Sequence, residues 1–315
     1  MEVTTLRVLV AATEPIARAP LPPRFCNLSP LRIVTGAGMI KVASYNMRKG
    51  IGLDRKRSPE RILDVLGEID ADVVALQEAD RRFGGRACVI TPNLLDERSP
   101  WQAVDLGVRA ASMGWHGNAI LVRKGARVLS AGPIHLPALE PRGAVTADVA
   151  LPGGERLRIV GMHLDLSGLW RRRQAAAVLA HVDGAAETHP TVLMGDLNEW
   201  TAAAGCLRDF ARQYRFAATG PSFHARRPVG RLDRIMVSPD LTVVECGVHA
   251  SPAARRASDH LPIWALLETP HLPLAGGVGE ALVTSDRSPA DSPSPSSSRK
   301  REGNVGDPSR KPEGG

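Results

Sequence analysis

The octapeptide VLMGDLNE at residues 192–199 is the strongest structural signal in this chain. Three apolar residues lead into Gly195, and two polar residues, Asp196 and Asn198, follow two positions apart. A buried strand that ends in this way places both polar side chains on the same side of the sheet edge. The glycine allows a neighbouring backbone or a ligand to approach closely. Carboxylate and amide oxygens in that position suit a hard cation next to a phosphate.

Other apolar runs of the chain also end or begin at polar side chains that can bind metals or transfer protons. These residues are Asn46, Glu78 and His163 after predicted strands, and Asp233 and the pair Asp259-His260 before predicted strands. Polar residues at the strand ends of one sheet converge on one rim, which is where α/β proteins usually build their sites. Any one of them could simply cap a loop, but together they indicate a functional site.

The composition is that of a globular protein with a basic excess. The 315 residues carry a net charge of +7, and residues 40–268 hold 30 basic and 25 acidic side chains. Bound cations would neutralise some of those acids, so the excess favours an anionic substrate, although many basic proteins bind nothing anionic. The four cysteines show no CxxC spacing, which indicates a reducing compartment, and we expect a cytoplasmic monomer. No apolar run approaches the roughly 18–20 residues of a membrane span, so no transmembrane segment is predicted.

The chain divides into a central domain and two ends of different composition. Residues 1–39 contain scattered proline and arginine without periodicity, so we expect a poorly ordered N-terminal extension, with Met39 at the start of the folded unit. Residues 269–315 are rich in proline, serine and glycine and are predicted to form a disordered tail. Residues 40–268 mix strand and helix patterns and are predicted to form a single α/β catalytic domain.

The apolar periodicity predicts the elements of this domain. Strands are predicted at 40–45, 73–76, 118–122, 145–150, 157–162, 191–194, 235–237, 242–248 and 263–267, and helices at 58–69, at 169–186 and from Thr201 onward. The run Arg171–Arg173 opens the second helix, where we expect solvated side chains; contact with an anionic substrate is the alternative. Four tryptophans, Trp101, Trp115, Trp170 and Trp200, are candidates for the mouth of a site, with core packing expected for some of them.

Seven short motifs span almost all of residues 40–268. They are Ser44-Tyr45-Asn46, Leu76-Gln77-Glu78, Gly117-Asn118-Ala119-Ile120-Leu121, Gly161-Met162-His163-Leu164, Gly195-Asp196-Leu197-Asn198, Leu232-Asp233-Arg234-Ile235 and Ser258-Asp259-His260-Leu261-Pro262. In content and order they resemble the endonuclease/exonuclease/phosphatase superfamily, the DNase I-like metal-dependent phosphoesterases. The resemblance implies an α/β (α+β) fold, a four-layer αββα sandwich in which helices flank two packed mixed β-sheets. It also implies hydrolysis of a phosphoester supported by Mg²⁺ or Mn²⁺.

The metal ligands implied by the resemblance carry oxygen donors. Glu78 is the expected principal carboxylate, with Asn46 beside it, and oxygen ligands that leave waters in place are what Mg²⁺ prefers. Asp259 would complete the metal site or orient the neighbouring His260. Adjacent side chains on a strand point to opposite faces, so Asp259 and His260 must lie on a loop to act on one site.

The catalytic roles follow from the same resemblance. His260 would take a proton from the attacking water or hold charge on the phosphoryl oxygens, and Asp233 would fix its tautomer. Asp196 would position or deprotonate the water, Asn198 would hold a phosphate oxygen, and His163 would donate to another.

Three further residues are expected to contact the substrate. Arg142 would bind a phosphoryl oxygen by bidentate contacts, with a plain surface position as the alternative. Asn118 belongs to the motif that begins at Gly117, and His116 directly precedes this motif. For His116, packing against Trp115 is the alternative.

The sequence indicates the type of reaction more closely than it indicates the substrate. Relatives that cut DNA at abasic sites carry a Tyr/Pro/Asn-rich motif where this chain has Gly161-Met162-His163-Leu164-Asp165. The histidine-leucine pair looks more like the DNase I, sphingomyelinase and phosphoinositide-phosphatase branches. We predict a phosphodiesterase or phosphatase whose substrate is a lipid-linked, small-molecule or nucleic-acid phosphoester. The alternatives are a DNA endonuclease or exonuclease, which needs a continuous basic groove, and a non-catalytic phosphate-binding module, which the presence of the metal and histidine residues disfavours.

Overall fold

Two β-sheets lie against each other at the centre of the structure, a computed structural model that describes residues 38–81, 87–108, 111–140 and 142–269. The strands are β1 (Met39–Asn46), β2 (Val73–Gln77), β3 (Trp101–Ala103), β4 (Ala119–Arg123), β5 (Arg127–Ile134), β6 (Gly143–Ala150), β7 (Arg156–His163), β8 (Thr191–Asp196), β9 (Arg215–Phe216), β10 (Asp233–Val237), β11 (Thr242–Val248) and β12 (Ile263–Glu268). The helices are α1 (Pro59–Ile69), α2 (Pro92–Arg98), α3 (Gly168–Asp183), α4 (Cys206–Phe210) and α5 (Ala254–Ala257), and Arg48–Gly50 forms a 3₁₀ turn.

Each sheet contains six strands and mixes parallel with antiparallel pairs. The first sheet has the order β11-β12-β1-β2-β4-β3, and the second has the order β5-β6-β7-β8-β10-β9. The pairs β1–β2 and β7–β8 are parallel. Parallel neighbours end at the same edge of a sheet, so residues that follow β1 and β2, or that end β7 and β8, lie near each other.

Three apolar clusters hold the layers together. The central cluster lies between the sheets and includes Val42 from the first sheet and Met194 from the second. A second cluster packs α1 against the first sheet through residues such as Leu66. A third packs α3 and α4 against the second sheet through Val178 and Phe210. The layers follow the order helix, sheet, sheet, helix, and the predicted four-layer sandwich is confirmed.

The predicted strands are all present, with ends that differ by a few residues, and α1 begins as its sequence indicates. The hydroxyl of Ser58 accepts a hydrogen bond from the backbone N–H of Arg61 at 3.4 Å, and Pro59 occupies the first turn. A serine cap and a proline that needs no backbone hydrogen bond are both favourable at a helix start.

The helix predicted from Thr201 is wrong, because residues 201–205 form bends and a turn before α4 begins at Cys206. The carboxylate of Glu199 accepts the backbone N–H and the hydroxyl of Thr201 at 3.1 and 2.8 Å. Gly205 precedes α4 with a φ of 59°, a left-handed conformation that a continuous helix does not allow. Local hydrogen bonds to Glu199 therefore outweigh the helix preference of the intervening alanines.

The predictions for the two ends of the chain lie outside the described residues, which begin at 38 and end at 269. The limits of the catalytic domain and the disorder of its flanks therefore stay predictions. Within the ranges that the structure describes, no helix is both long and apolar enough to cross a membrane.

Candidate active site

The register of the second sheet places three of the predicted site residues in one row. His163, the last residue of β7, pairs with Asp196, the last residue of β8. Asp196 also pairs with Asp233, the first residue of the antiparallel β10. On the other side, Gly143 begins β6 opposite His163 and follows Arg142 in sequence. Side chains at equivalent positions of neighbouring strands lie close together, so this row forms one wall of a site.

Asp196 is the centre of the site. Its Oδ2 accepts the side-chain amide of Asn46 at 3.0 Å and lies 3.4 Å from Nε2 of His163 and 3.7 Å from Nε2 of His260. Its Oδ1 accepts the backbone N–H of Asn198 at 3.0 Å. The residue is only 1% exposed, so protein groups rather than bulk water surround the carboxylate. Asn46 ends a strand of the first sheet, and the site therefore joins both sheets.

Asp233 fixes the orientation of His260, as the sequence predicts for the pair. Nδ1 of His260 lies 2.8 Å from Oδ2 of Asp233, which also accepts the hydroxyl of Ser222. Phe223 covers the imidazole, with ring centroids 4.8 Å apart. Burial alone would lower the pKa of His260, but the charges of Asp233 and Asp196 outweigh it and raise this pKa to about 10. The ring therefore carries a proton on Nε2 at neutral pH.

His163 lies on the other side of the same carboxylate and, unlike His260, is neutral. Burial lowers the pKa of His163 to about 3; the charge of Asp196 opposes this shift and that of Arg142 adds to it. Nη1 of Arg142 contacts Nε2 of His163, and Nε of Arg142 lies 3.4 Å from Oε2 of Glu140. The neutral ring therefore accepts a hydrogen bond at Nε2, and the guanidinium carries the N–H groups beside it.

Asn198 ties the loop after β8 to the loop after β7. Its backbone has a φ of 50°, in the left-handed region that asparagine tolerates better than most residues. Its side-chain amide donates to the backbone carbonyl of Leu164 at 2.9 Å. The second amide hydrogen is the donor with which Asn198 could reach a phosphate oxygen.

Glu78 and Asp259, two of the predicted metal ligands, each lie against a cationic side chain. Nζ of Lys49 contacts Oε2 of Glu78, and Nε of Arg48 lies 3.2 Å from Oδ2 of Asp259. The acidic side chains are 25% and 24% exposed. Oxygen donors that attract positive groups and remain open to water fit a hard divalent cation, and Asn46 supplies a further amide oxygen. Asp259 lies outside any strand, in agreement with the loop position predicted for it.

Arg48 and Lys49 are site residues that the sequence reasoning missed. Both have positive φ angles, 45° and 57°, within the 3₁₀ turn that follows Asn46. Their position two and three residues after the motif asparagine Asn46 was the available signal. They add two positive charges to a site whose other described groups include four carboxylates, those of Glu78, Asp196, Asp233 and Asp259.

A second possible metal-binding group lies deeper in the site. Ligand atoms of Asp196, Asp233 and His260 all lie within 4.8 Å of one another, and all three residues are buried. However, Oδ2 of Asp233 already accepts two hydrogen bonds, and Nδ1 of His260 provides one of them. A metal on Oδ2 of Asp233 or on Nδ1 of His260 would displace these contacts, whereas Oδ1 of Asp233 is buried without a hydrogen-bond partner among the described residues and leaves one carboxylate oxygen available.

Asn118 and His116 lie beside the start of β6. The side chain of Asn118 is buried and donates to the backbone carbonyls of Trp115 and Gly143 at 3.2 and 3.0 Å. It therefore shapes the backbone next to Arg142. His116 packs edge-on against Trp115, with ring centroids 4.4 Å apart. Direct substrate contact by either residue stays a prediction.

Arg171 differs from the expectation for the Arg171–Arg173 run, because it is only 8% exposed. Its Nε and Nη2 donate to Oε2 of Glu199 at 3.2 and 3.1 Å. Its Nη1 donates to the backbone carbonyls of Asp165 and Leu166 at 3.3 and 2.6 Å. Arg171 thus braces the loop after β7 against the loop after β8. The signals in the sequence were Glu199 at the end of the octapeptide and a cation at a helix start, where the macrodipole disfavours it.

The family comparison covers the whole of this site. The model of the Endonuclease/Exonuclease/phosphatase family matches residues 43–260, which contain every predicted site residue. Among curated proteins, the uncharacterized protein YbhP of Escherichia coli K12 is 26% identical over 245 residues, covering 71% of this chain and 94% of YbhP. YbhP of Shigella flexneri matches with the same identity and coverage.

Solved structures of similar fold come from several organisms. A family protein from Bacteroides thetaiotaomicron has a TM-score of 0.61 at 20% identity, covering 74% of this chain and 99% of that chain. A mannosyl-6-phosphatase from the same organism has a TM-score of 0.59 at 20% identity, covering 72% and 99%. A humanized TDP2 from D. rerio has a TM-score of 0.57 at 20% identity, covering 73% and 99%. These likenesses establish the fold.

Proposed function

We propose that this chain, which belongs to the endonuclease/exonuclease/phosphatase family, is a divalent-metal-dependent hydrolase that cleaves a phosphoester by in-line attack of water. Endonucleases, exonucleases and phosphatases all hydrolyse phosphoesters, so family membership supports the reaction class. The observation that carries the proposal is the convergence of Asn46, His163 and His260 on one oxygen of Asp196. The proposed catalytic domain spans residues 40–268.

We assign to Asp196 the positioning of the attacking water. Its Oδ1 is fixed by the backbone N–H of Asn198 and its Oδ2 by the amide of Asn46. A carboxylate held in one orientation can position a water molecule and accept its proton.

We assign to His260 the stabilisation of negative charge on the phosphoryl group. Its raised pKa keeps a proton on Nε2, and Asp233 holds the other ring nitrogen at 2.8 Å. Of the two roles expected for His260, donation to a phosphoryl oxygen agrees better with this charge state than proton abstraction does. A preorganised cationic donor stabilises the charge that develops in the transition state.

Other phosphoryl contacts are assigned to Arg142 and Asn198. The guanidinium of Arg142 can bind two oxygens at once, and its contact with His163 fixes its position. Asn198 offers its second amide hydrogen. His163 then orients Arg142 by accepting from it, which replaces the direct donation expected from the sequence.

A divalent cation fits the oxygen donors of Glu78, Asn46 and Asp259. When bound, Mg²⁺ or Mn²⁺ would neutralise charge at the phosphoryl group and increase the acidity of a water ligand. Lys49 and Arg48 lie against Glu78 and Asp259 and place two positive charges where they can contact an anionic substrate.

The test is a metal-dependent activity screen on the full chain. Hydrolysis of bis-p-nitrophenyl phosphate, p-nitrophenyl phosphate, plasmid DNA, abasic DNA and phospholipid is measured with Mg²⁺, with Mn²⁺ and with EDTA. We expect turnover that requires a metal, and a loss of about 10²-fold or more in kcat for His260→Ala. The matched control is His189→Ala, because His189 lies just before β8, at the end of the strand opposite Asp196. The proposal fails if no substrate is hydrolysed, or if His260→Ala and His189→Ala have equal activity.

A further inference from the structure

Most of the exposed large apolar side chains of the described residues lie near the site, on loops or at the start of α3. Leu139, Leu166, Leu169, Trp200 and Val229 are 70%, 60%, 59%, 62% and 70% exposed. We call these five residues the apolar rim. The other exposed large apolar residues, Val128, Leu129 and Val244, lie on β5 and β11 at sheet edges. A folded protein gains no stability by exposing such side chains together, so a cluster of them around a site points to a binding surface.

Direct contacts connect the rim to the catalytic residues. The Trp200 ring packs edge-on against Phe223, with centroids 5.9 Å apart, and Phe223 in turn covers His260. The backbone N–H of Val229 donates to the carbonyl of Phe223 at 2.7 Å. Trp200 and Val229 therefore lie on one side of the catalytic histidine.

The remaining members of the rim follow the other strand ends of the site. The carbonyl of Leu166 accepts from Arg171, whose guanidinium also binds Glu199, the residue before Trp200. Leu169 lies three positions further along the chain, in the first turn of α3. Leu139 precedes Glu140, whose carboxylate lies 3.4 Å from Arg142.

Arginines flank the apolar rim on the same loops. Exposed arginines at 172 and 173 follow Leu169, and those at 226, 227 and 231 enclose Val229. The guanidinium of Arg173 lies over the Trp170 ring, 4.9 Å from its centroid. Nε of Arg172 lies 3.8 Å from Oδ2 of Asp209, and the arginine side chain is still 64% exposed. Apolar tips with adjacent cations are the composition of proteins that lie on anionic membranes.

We propose that the face bearing the active site binds the surface of an anionic lipid bilayer. Leu166, Leu169, Trp200 and Val229 would enter the headgroup region, and the flanking arginines would contact lipid phosphates. The rim residues come from several segments of the chain and form no continuous groove of the kind that a peptide helix needs, which suits a fluid surface better. Three of these four side chains are aliphatic and provide no ring on which a nucleic-acid base could stack. A lipid-headgroup phosphoester as substrate would follow, and that consequence rests on the proposed function.

Vesicle flotation of the full chain tests the binding without using catalysis. Vesicles of phosphatidylcholine alone are compared with vesicles that also contain phosphatidylglycerol, and single-stranded DNA binding is measured in parallel. We expect binding to the anionic vesicles. Leu166→Ser/Leu169→Ser should lower the partition coefficient by about tenfold or more. Arg226→Gln/Arg227→Gln should lower it by about fivefold per arginine, with less effect as salt rises.

The matched control is Leu129→Ser/Val244→Ser, which removes two exposed apolar residues from the sheet edges and should leave binding unchanged. Circular dichroism and Tm establish that each variant is folded. The proposal is overturned if the wild type binds neither vesicle, if the control variant loses binding as much as the rim variant, or if DNA is bound and vesicles are not. Vesicle binding without any phosphoester hydrolysis would overturn the proposed function and leave the docking surface intact.

Discussion

The buried ion pair between Arg171 and Glu199 gives the sharpest test of how the site is held in place. The side chains of Arg171 and Glu199 are 9% and 4% exposed, and the guanidinium also binds two backbone carbonyls. Glu199→Gln keeps the volume but removes the negative charge, so the guanidinium is left uncompensated and faces an amide. Removing one partner of a buried pair costs about 3–5 kcal/mol of unfolding free energy.

Urea denaturation measures this loss directly. For a domain of this size m is about 3 kcal/mol/M, so the midpoint should fall by about 1 M or more. The matched control is Arg172→Met, the next residue on the same helix turn, where the side chain is 64% exposed and 3.8 Å from Asp209. A surface pair of this kind contributes about 0–1 kcal/mol, so its loss should barely move the midpoint.

The double variant Arg171→Met/Glu199→Gln separates charge from packing. Because it removes both charges, we expect it to be more stable than the sum of the two single changes predicts. Glu199 also adjoins Asn198, so kcat should fall in Glu199→Gln even below the denaturation midpoint. Equal midpoints for Glu199→Gln and Arg172→Met, or strict additivity in the double variant, would refute the reasoning.

Three further outcomes are expected. Asp233→Asn should lower kcat by about 10²-fold or more with little change in the Mg²⁺ affinity measured by calorimetry, whereas Glu78→Gln should weaken Mg²⁺ binding. If Asp233→Asn weakens Mg²⁺ binding and Glu78→Gln does not, the metal binds at the deeper carboxylates Asp196 and Asp233. Burial would raise the pKa of Asp148, but hydrogen bonding to Arg158 outweighs burial and lowers this pKa. Stability from this pair is therefore present above the unfolded pKa of about 3.9 and is lost as the pH falls through the folded-state pKa. The advantage of the wild type over Asp148→Asn in urea melts should shrink below about pH 4, and a constant difference would contradict this. Gly195→Ala should lower the free energy of unfolding by about 3 kcal/mol or more. The backbone at this position has a φ of 152°, and the added Cβ would overlap the backbone carbonyl of Met162 on the adjacent strand. An unchanged Tm would show that the strand can relax.

Strands buried on both faces could be predicted from the sequence because their apolar runs are continuous. β8 is buried along its whole length, and its glycine and acid mark where it ends. β5 was missed because it is an edge strand whose first four residues are exposed, so its apolar pattern is weak. α4 was placed too early because the side chain of Glu199, not any helix propensity, determines the backbone of Thr201. Long-range packing and side-chain capping are the information that a local pattern lacks.

The sequence predicts which residues form the candidate site, but it does not predict their register. Motif order places His163, Asp196 and Asp233 at strand ends, yet only the pairing of β8 with a parallel and an antiparallel neighbour sets them in one row. A slip of one residue would turn each side chain to the other face of the sheet. The cationic partners of Glu78 and Asp259, the predicted metal ligands, were missed for a related reason, since their positions depend on a turn with positive φ at Arg48 and Lys49.

The two histidines beside Asp196 show why residue identity alone does not assign a role. Both rings are buried, and burial lowers the pKa of each. His260 has Asp233 at 2.8 Å from Nδ1, and together with Asp196 this carboxylate outweighs burial. His163 instead contacts Arg142, whose charge adds to the effect of burial. One ring is a cationic donor and the other a neutral acceptor. Asp233 and Arg142 therefore determine which side of Asp196 supplies protons and which side holds the guanidinium. Replacing Asp233 or Arg142 should change the protonation of the neighbouring histidine, although the histidine itself is not mutated.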